Sequence, residues 1–253
     1  MSWIEGPLLG FDTETTGVDV ATDRIVTAAL VRRDAGGTRV HTWLIAPGVE
    51  IPAVATAIHG VPTAHAERHG RPPVLALEEI ASEIAAAVRD GVPVVAYNAS
   101  FDLCLLDAEL RRHGLPTLPD RLGGEVRPVV DPLLLDRRED PEREGRRALV
   151  DLCGVYGVAD TGRLHTADVD VVATLDVLAA IVERFPHLGA VTPAALHRCQ
   201  VEAYRAWVEA NDARRAAEGR PATGVDPVWP QPPQRPQPKT TRAAEVAVLA
   251  VAG

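Results

Sequence analysis

The chain has no uninterrupted apolar stretch long enough to span a bilayer, and its opening residues, Met1-Ser2-Trp3-Ile4-Glu5-Gly6-Pro7, show no basic segment followed by an apolar run. Neither a membrane anchor nor an export signal is expected. Cysteine is scarce: Cys104, Cys153 and Cys199 are odd in number and far apart, which argues against a disulfide framework. Free buried thiols in a reducing cytoplasm are the expectation. Positive charge is also in deficit, since 26 Lys and Arg against 35 Asp and Glu leave a formal net charge of −9. A surface of that sign does not steer a polyanion over long range, which argues against a simple nucleic-acid coat protein. It leaves room for an enzyme that grips one strand end, because bound divalent ions reverse the local field of an acidic site.

What is present is enough for one substantial core: 253 residues, 46% of them apolar, with 24% charged. Short segments at Leu8 to Thr13, Ile25 to Arg32 and Arg39 to Ile45 are rich in β-branched and apolar residues, and they read as consecutive strands with Gly36-Gly37 turning a hairpin. Leu75, Ile80, Ile84 and Val88 predict a helix over Leu75 to Asp90 that ends at Gly91, before a buried strand from Val92 to Tyr97. Ser100 is placed to cap a helix running to His113, and Asp131 to cap another at Pro132 after a short strand at Pro128 to Val130. Strands first and mixed units later suggest an α/β sandwich with a mixed sheet. Ala167 to Phe185, with Val169, Val172, Leu175, Leu178, Ala179 and Val182 on one side, predicts a long helix laid on that sheet. Pro193 to Ala217 predicts a further helix, and the stretch Pro221 to Pro238, dense in Pro and Gln, is expected to be extended and poorly packed.

Three constellations carry chemistry. In Phe11-Asp12-Thr13-Glu14-Thr15-Thr16-Gly17 two carboxylates two positions apart fall on one face of a strand, where they repel each other unless a cation sits between them. A bare Asp-x-Glu is more often a polar strand end. Ala96-Tyr97-Asn98-Ala99-Ser100-Phe101-Asp102 places Asp102 in the first turn of a helix, where the helix dipole alone would favour it. His165-Thr166-Ala167-Asp168-Val169-Asp170 puts a histidine on a loop ahead of the long helix and Asp170 about one turn into it. Taken singly, such a histidine is more often a solvated loop residue.

In combination, Asp-x-Glu-Thr-Thr-Gly, then Asn-x-x-x-Asp, then His-x-Ala-x-x-Asp have the order and spacing of the DEDDh exonucleases. Over about residues 7 to 186 the chain resembles this family, which contains the epsilon proofreading subunit of bacterial DNA polymerase III, the ribonuclease T type enzymes and the oligoribonucleases. The resemblance implies a ribonuclease H-like exonuclease fold, a central mixed β-sheet flanked by helices. Together with the helix and the Pro-rich stretch read beyond it, the expected division of the chain is a catalytic domain over 1–190, a helical extension over 191–218 and a Pro-rich, disordered tail over 219–253.

Residue by residue, the resemblance makes Asp12, Glu14, Asp102 and Asp170 the ligands of two divalent ions, Mg²⁺ or Mn²⁺, and His165 the general base. Thr15, Thr16 and Asn98 match positions that contact the terminal nucleotide, whereas Tyr97 stands where a His is frequent. Asp168 is out of register and reads as helix N-terminal charge. His59-Gly60-Val61 is similar to a segment that frames the substrate groove, and it reads equally as a helix ending in Gly; Asp131 reads as an N-cap. The implied reaction is removal of nucleotides from single-stranded or frayed 3′ ends of DNA as nucleoside 5′-monophosphates. Two alternatives stay open: an exoribonuclease of the ribonuclease T or oligoribonuclease type, and a catalytically silent module that binds nucleic acid or a partner. The tail is a candidate docking segment for a polymerase or other protein.

Overall fold

The structure, a computed structural model, describes residues 2–159 and 166–231. Strands β1 (Leu8–Thr15), β2 (Ile25–Asp34), β3 (Gly37–Leu44), β4 (Val94–Val95) and β5 (Val129–Val130) form one sheet in the order β3-β2-β1-β4-β5. The helices are α1 (Ala53–His59), α2 (Thr63–His69), α3 (Pro73–Arg89), α4 (Ala99–Arg112), α5 (Leu118–Leu122), α6 (Pro132–Glu139), α7 (Leu149–Tyr156), α8 (Ala167–Arg184), α9 (Pro186–Gly189) and α10 (Pro193–Ala217). A mixed five-stranded sheet flanked by helices is the architecture that the resemblance implies.

The first three strands run antiparallel as a meander, whereas β4 and β5 lie parallel to β1. The hairpin between β2 and β3 closes at Gly37, whose φ of 111° belongs to glycine. β1 is therefore central, and it runs on past the end of β4, whose Val95 lies opposite Gly10. Alternation along β1 divides two cores: Leu9 and Phe11 pack with α3 and α4 on one face, while Leu8 joins Ala29, Val31 and the buried side of α8 on the other.

The axis of that second layer is set by Gly10. A Cβ there would lie 2.3 Å from Val171 Cγ1, so the bare glycine lets α8 sit down on the sheet. This rotates the helix relative to the periodicity read from sequence: the buried stripe runs through Val171, Leu175, Leu178 and Ile181, while Ala179 faces solvent and Val169 and Val172 are half-buried. A similar correction holds in α3, where Leu77 is buried and Leu75 is 55% exposed.

The expected strand over Val92 to Tyr97 pairs only at Val94 and Val95. Nor does Ser100 cap α4. The N-cap is Asn98, in a left-handed conformation at φ 58° and ψ 45° that Asn tolerates better than most residues, with no cap from its own side chain. The cap is supplied from elsewhere: the Asp131 carboxylate accepts the Asn98 and Ala99 N–H groups at 3.1 and 3.0 Å. Asp131 also caps α6, as expected, by accepting the Leu133 N–H at 2.9 Å.

Residues 219–231 carry no helix or strand, yet they are not poorly packed throughout. Trp229 is 3% exposed beside His197, and Gln231 donates to the Leu103 carbonyl and to Asp107. The remainder of the Pro-rich tail lies outside the described residues. Cys104, Cys153 and Cys199 are free thiols. Among the described residues no helix is long and apolar enough to cross a membrane.

Candidate active site

At the C-terminal end of β1 the apolar strand turns acidic on the face that α8 covers. Leu8 and Gly10 take the apolar contacts with that helix, and two and four residues further on the same alternation presents Asp12 and Glu14. α8 begins at Ala167, so Asp170 lies in its first turn, above the end of β1. Carboxylate oxygens of Asp12, Glu14 and Asp170 lie within 4.8 Å of one another.

Asp102 approaches from the other side. It sits in the first turn of α4, is 3% exposed, and accepts a hydrogen bond from Thr13 Oγ1 at 2.6 Å. Thr13, the neighbour of Asp12 on β1, thus holds the Asp102 carboxylate, whose charge also bears on Asp12.

Burial pushes Asp12 well above the usual carboxylate range, and repulsion from Asp102, Asp170 and Glu14 pushes it further. Glu14 is raised to about 7 by burial and then by Asp170 and Asp102. Asp102 is likewise raised to about 7 by burial, in spite of the Thr13 hydrogen bond that favours its charged form. Among the described residues no Arg or Lys forms an ion pair with Asp12, Glu14 or Asp102. A crowd of oxygen donors that oppose each other's charge suits a hard divalent cation.

His165 lies outside the described residues. Thr15 and Thr16 leave β1 beside this cluster, but their hydroxyls are already engaged. Thr15 Oγ1 donates to the Gly17 carbonyl at 2.6 Å, and Thr16 Oγ1 donates to Asp23 at 2.8 Å while accepting the Arg24 N–H. The pair thereby fixes the loop that follows β1. Asn98 is exposed at the start of α4, and its left-handed backbone is reason enough for an Asn there. Tyr97 is turned away from a ligand role: its hydroxyl donates to the Arg147 carbonyl at 2.5 Å.

His59-Gly60-Val61 is the end of α1, closed by Gly60 at φ 76°. The His59 ring is 7% exposed and lies against the Thr15 backbone; burial lowers its pKa. The residue whose role the sequence understated is Asp131. As an N-cap of α6 it was visible, but its hold on α4, 32 residues earlier, depends on β4 and β5 being neighbours.

A family model described as Exonuclease, RNase T, matches residues 9–178. The chain is 30% identical over 171 residues to the PolC-type DNA polymerase III of Streptococcus thermophilus, and 29% identical over 196 residues to that of Streptococcus pneumoniae. It spans 11% and 12% of the length of those proteins. In fold it is similar to a moderately thermophilic exonuclease I from Methylocaldum szegediense, with a TM-score of 0.60 and 24% identity, covering 84% of this chain and 45% of that one. Exonuclease I of E. coli in complex with a dT13 oligonucleotide is also similar, with a TM-score of 0.59 and 22% identity over 72% of this chain and 42% of that one.

Proposed function

Because the chain belongs to the exonuclease family whose model spans residues 9–178, we propose that it removes nucleotides from the 3′ end of single-stranded or frayed DNA as nucleoside 5′-monophosphates. The observation that carries the reading is the meeting of Asp12, Glu14 and Asp170 at the end of β1, with Asp102 close enough to raise the charge cost of Asp12. DNA is favoured over RNA by kinship: the relatives are DNA polymerases, and the fold neighbour from E. coli is complexed with an oligo-dT.

The donor set fits two Mg²⁺ or Mn²⁺ ions held by Asp12, Glu14, Asp102 and Asp170. When bound, such ions neutralise the carboxylates and stabilise charge on the attacking and leaving oxygens of an in-line displacement. The chain's own part is to place four carboxylates on three elements, so that no one of them is free to turn away. Thr13 orients Asp102 with a hydrogen bond, and the backbone loop pinned by Thr15 and Thr16 lies beside the cluster as a floor for the terminal nucleotide. Asn98, exposed at the start of α4, is assigned with them to the terminal nucleotide. His165 is the base that takes a proton from the attacking water, since a histidine titrates near working pH. The water oxygen then bonds to phosphorus, and the bond to the 3′ oxygen of the preceding nucleotide breaks. A polymerase is the partner class that the PolC-type relatives suggest, with the tail over 219–253 as the segment that meets it.

The test is a 5′-labelled single-stranded DNA oligomer incubated with Mg²⁺ or Mn²⁺, beside matched RNA, an EDTA control and Asp12→Ala. Stepwise shortening from the 3′ end that EDTA and the substitution both abolish is expected, faster on DNA. Shortening that survives EDTA contradicts the metal site, and faster cleavage of RNA reverses the substrate assignment.

A further inference from the structure

β5 is the edge of the sheet, and its outer backbone groups are covered by α10, so each of them needs a partner that a sixth strand would otherwise provide. Gln200 provides it. Its side chain is fully buried; Oε1 accepts the Asp131 N–H at 2.7 Å and Nε2 donates to the Val129 carbonyl at 3.2 Å. The carboxamide thus stands in for a peptide group of a neighbouring strand. His197 Nδ1 accepts the Val129 N–H at 3.2 Å and completes the edge.

Asp131, with its backbone held from α10, has its carboxylate inside. That carboxylate holds the Asn98 and Ala99 N–H groups, and they define the left-handed turn from which α4 departs. Asp102 is one turn further on, so its direction of approach is inherited from Asp131 and, through it, from Gln200. Nothing else in the described structure accepts the Asn98 or Ala99 N–H.

We propose that Gln200 is a positioning residue for the metal site: by clamping Asp131 against β5 it sets the start of α4 and thereby where Asp102 presents its carboxylate. The assignment rests on the reading of Asp102 as a metal ligand. Gln200 lies 22 residues beyond position 178, where the family match ends, so the helix that follows the matched region is part of the site's support.

The experiment is calorimetric titration of Mn²⁺ into the metal-free full chain, with melting temperature measured on the same samples. Gln200→Met keeps the bulk and loses the hydrogen bonds; Gln200→Asn is the milder second variant. Ile84→Ala, a core truncation on α3, matches them for loss of stability alone. Asp102→Asn tests the underlying reading. Gln200→Met is expected to weaken Mn²⁺ binding about tenfold, with a smaller loss for Gln200→Asn and none for Ile84→Ala. High Mn²⁺ should restore exonuclease turnover to Gln200→Met and not to Asp102→Asn. A Gln200 variant that melts lower but binds Mn²⁺ as the wild type does overturns the positioning role and leaves Gln200 as a fold residue. Wild-type Mn²⁺ binding by Asp102→Asn would instead remove the ligand reading itself, whatever Gln200 does.

Discussion

Two sets of wholly or partly buried carboxylates in this molecule meet the same electrostatic problem in opposite ways. Asp136, fully buried on α6, is met by Arg143 and Arg147 and by the Tyr156 hydroxyl. Fully buried Glu109 on α4 is met by Arg112 and Arg24, and it also accepts the Ile25 N–H. At the end of β1, by contrast, the carboxylates of Asp12, Glu14 and Asp170 crowd within 4.8 Å of one another, the charge of Asp102 adds to the repulsion on Asp12, and Asp12 and Glu14 are met by no Arg or Lys among the described residues. A buried charge that carries its own counter-charge is a structural feature; a cluster that raises its own pKa values leaves room for a charge brought from outside. Burial alone does not mark a functional carboxylate. The sign of its neighbours does.

The largest expected effect breaks the acidic cluster. Asp12→Asn should lower 3′ exonuclease turnover on oligo-dT by about a thousandfold, which corresponds to a few kcal/mol of lost charge stabilisation. The melting temperature of the metal-free protein should hold or rise, because one member of a repelling set is gone. A fall of both together would make Asp12 a fold residue like Asp136.

The matching substitution in the other region has the opposite signature. Asp136→Ala leaves Arg143 and Arg147 without their partner and should cost about 3 to 5 kcal/mol in chemical denaturation. Turnover of the protein that remains folded should change little. A loss of metal binding in Asp136→Ala would erase the distinction between the two sets.

The pH dependence sharpens it further. In the metal-free fold Glu14 and Asp102 keep protons up to about 7, whereas the unfolded chain releases its own near the ordinary carboxylate value of about 4. Between those values the folded state binds more protons, so these groups make stability fall as pH rises, with the full cost present above about 7. The melting temperature of the EDTA-treated protein should accordingly be lower at pH 8 than at pH 5.5. Mg²⁺ should raise it more at pH 8, where the carboxylates are charged. Equal stabilisation by Mg²⁺ at both pH values would contradict the assignment. The smallest effect expected is that of Thr13→Val, which removes the hydrogen bond to Asp102 and should weaken Mn²⁺ binding by tenfold or less in a titration at pH 7.

The sequence made the site legible wherever a local rule placed a side chain. Period-two alternation puts Asp12 and Glu14 on one face, and a helix start puts Asp102 and Asp170 in first turns. The central strands and the long helices α3, α4, α8 and α10 were readable for the same reason. Illegible were features that depend on contact between distant segments. The buried face of α8 follows from Gly10, about 160 residues earlier, and the cap of α4 comes from Asp131 across the sheet. α1 was legible only at its end, where Gly60 follows His59, and α2 was not legible because it is seven residues long and starts from a Pro without a side-chain cap. Gln200, in a helix that reads as an appendage, gave no local sign that its carboxamide closes a sheet edge. His165 lies outside the described residues, so its part rests on the motif.

The most direct measurement is anomalous diffraction from a crystal of the protein grown with Mn²⁺. The account predicts Mn²⁺ peaks ringed by the carboxylates of Asp12, Glu14, Asp102 and Asp170, about 3.5 to 4 Å apart where two are bound. A Mn²⁺-replete crystal with no peak among these four side chains would contradict it.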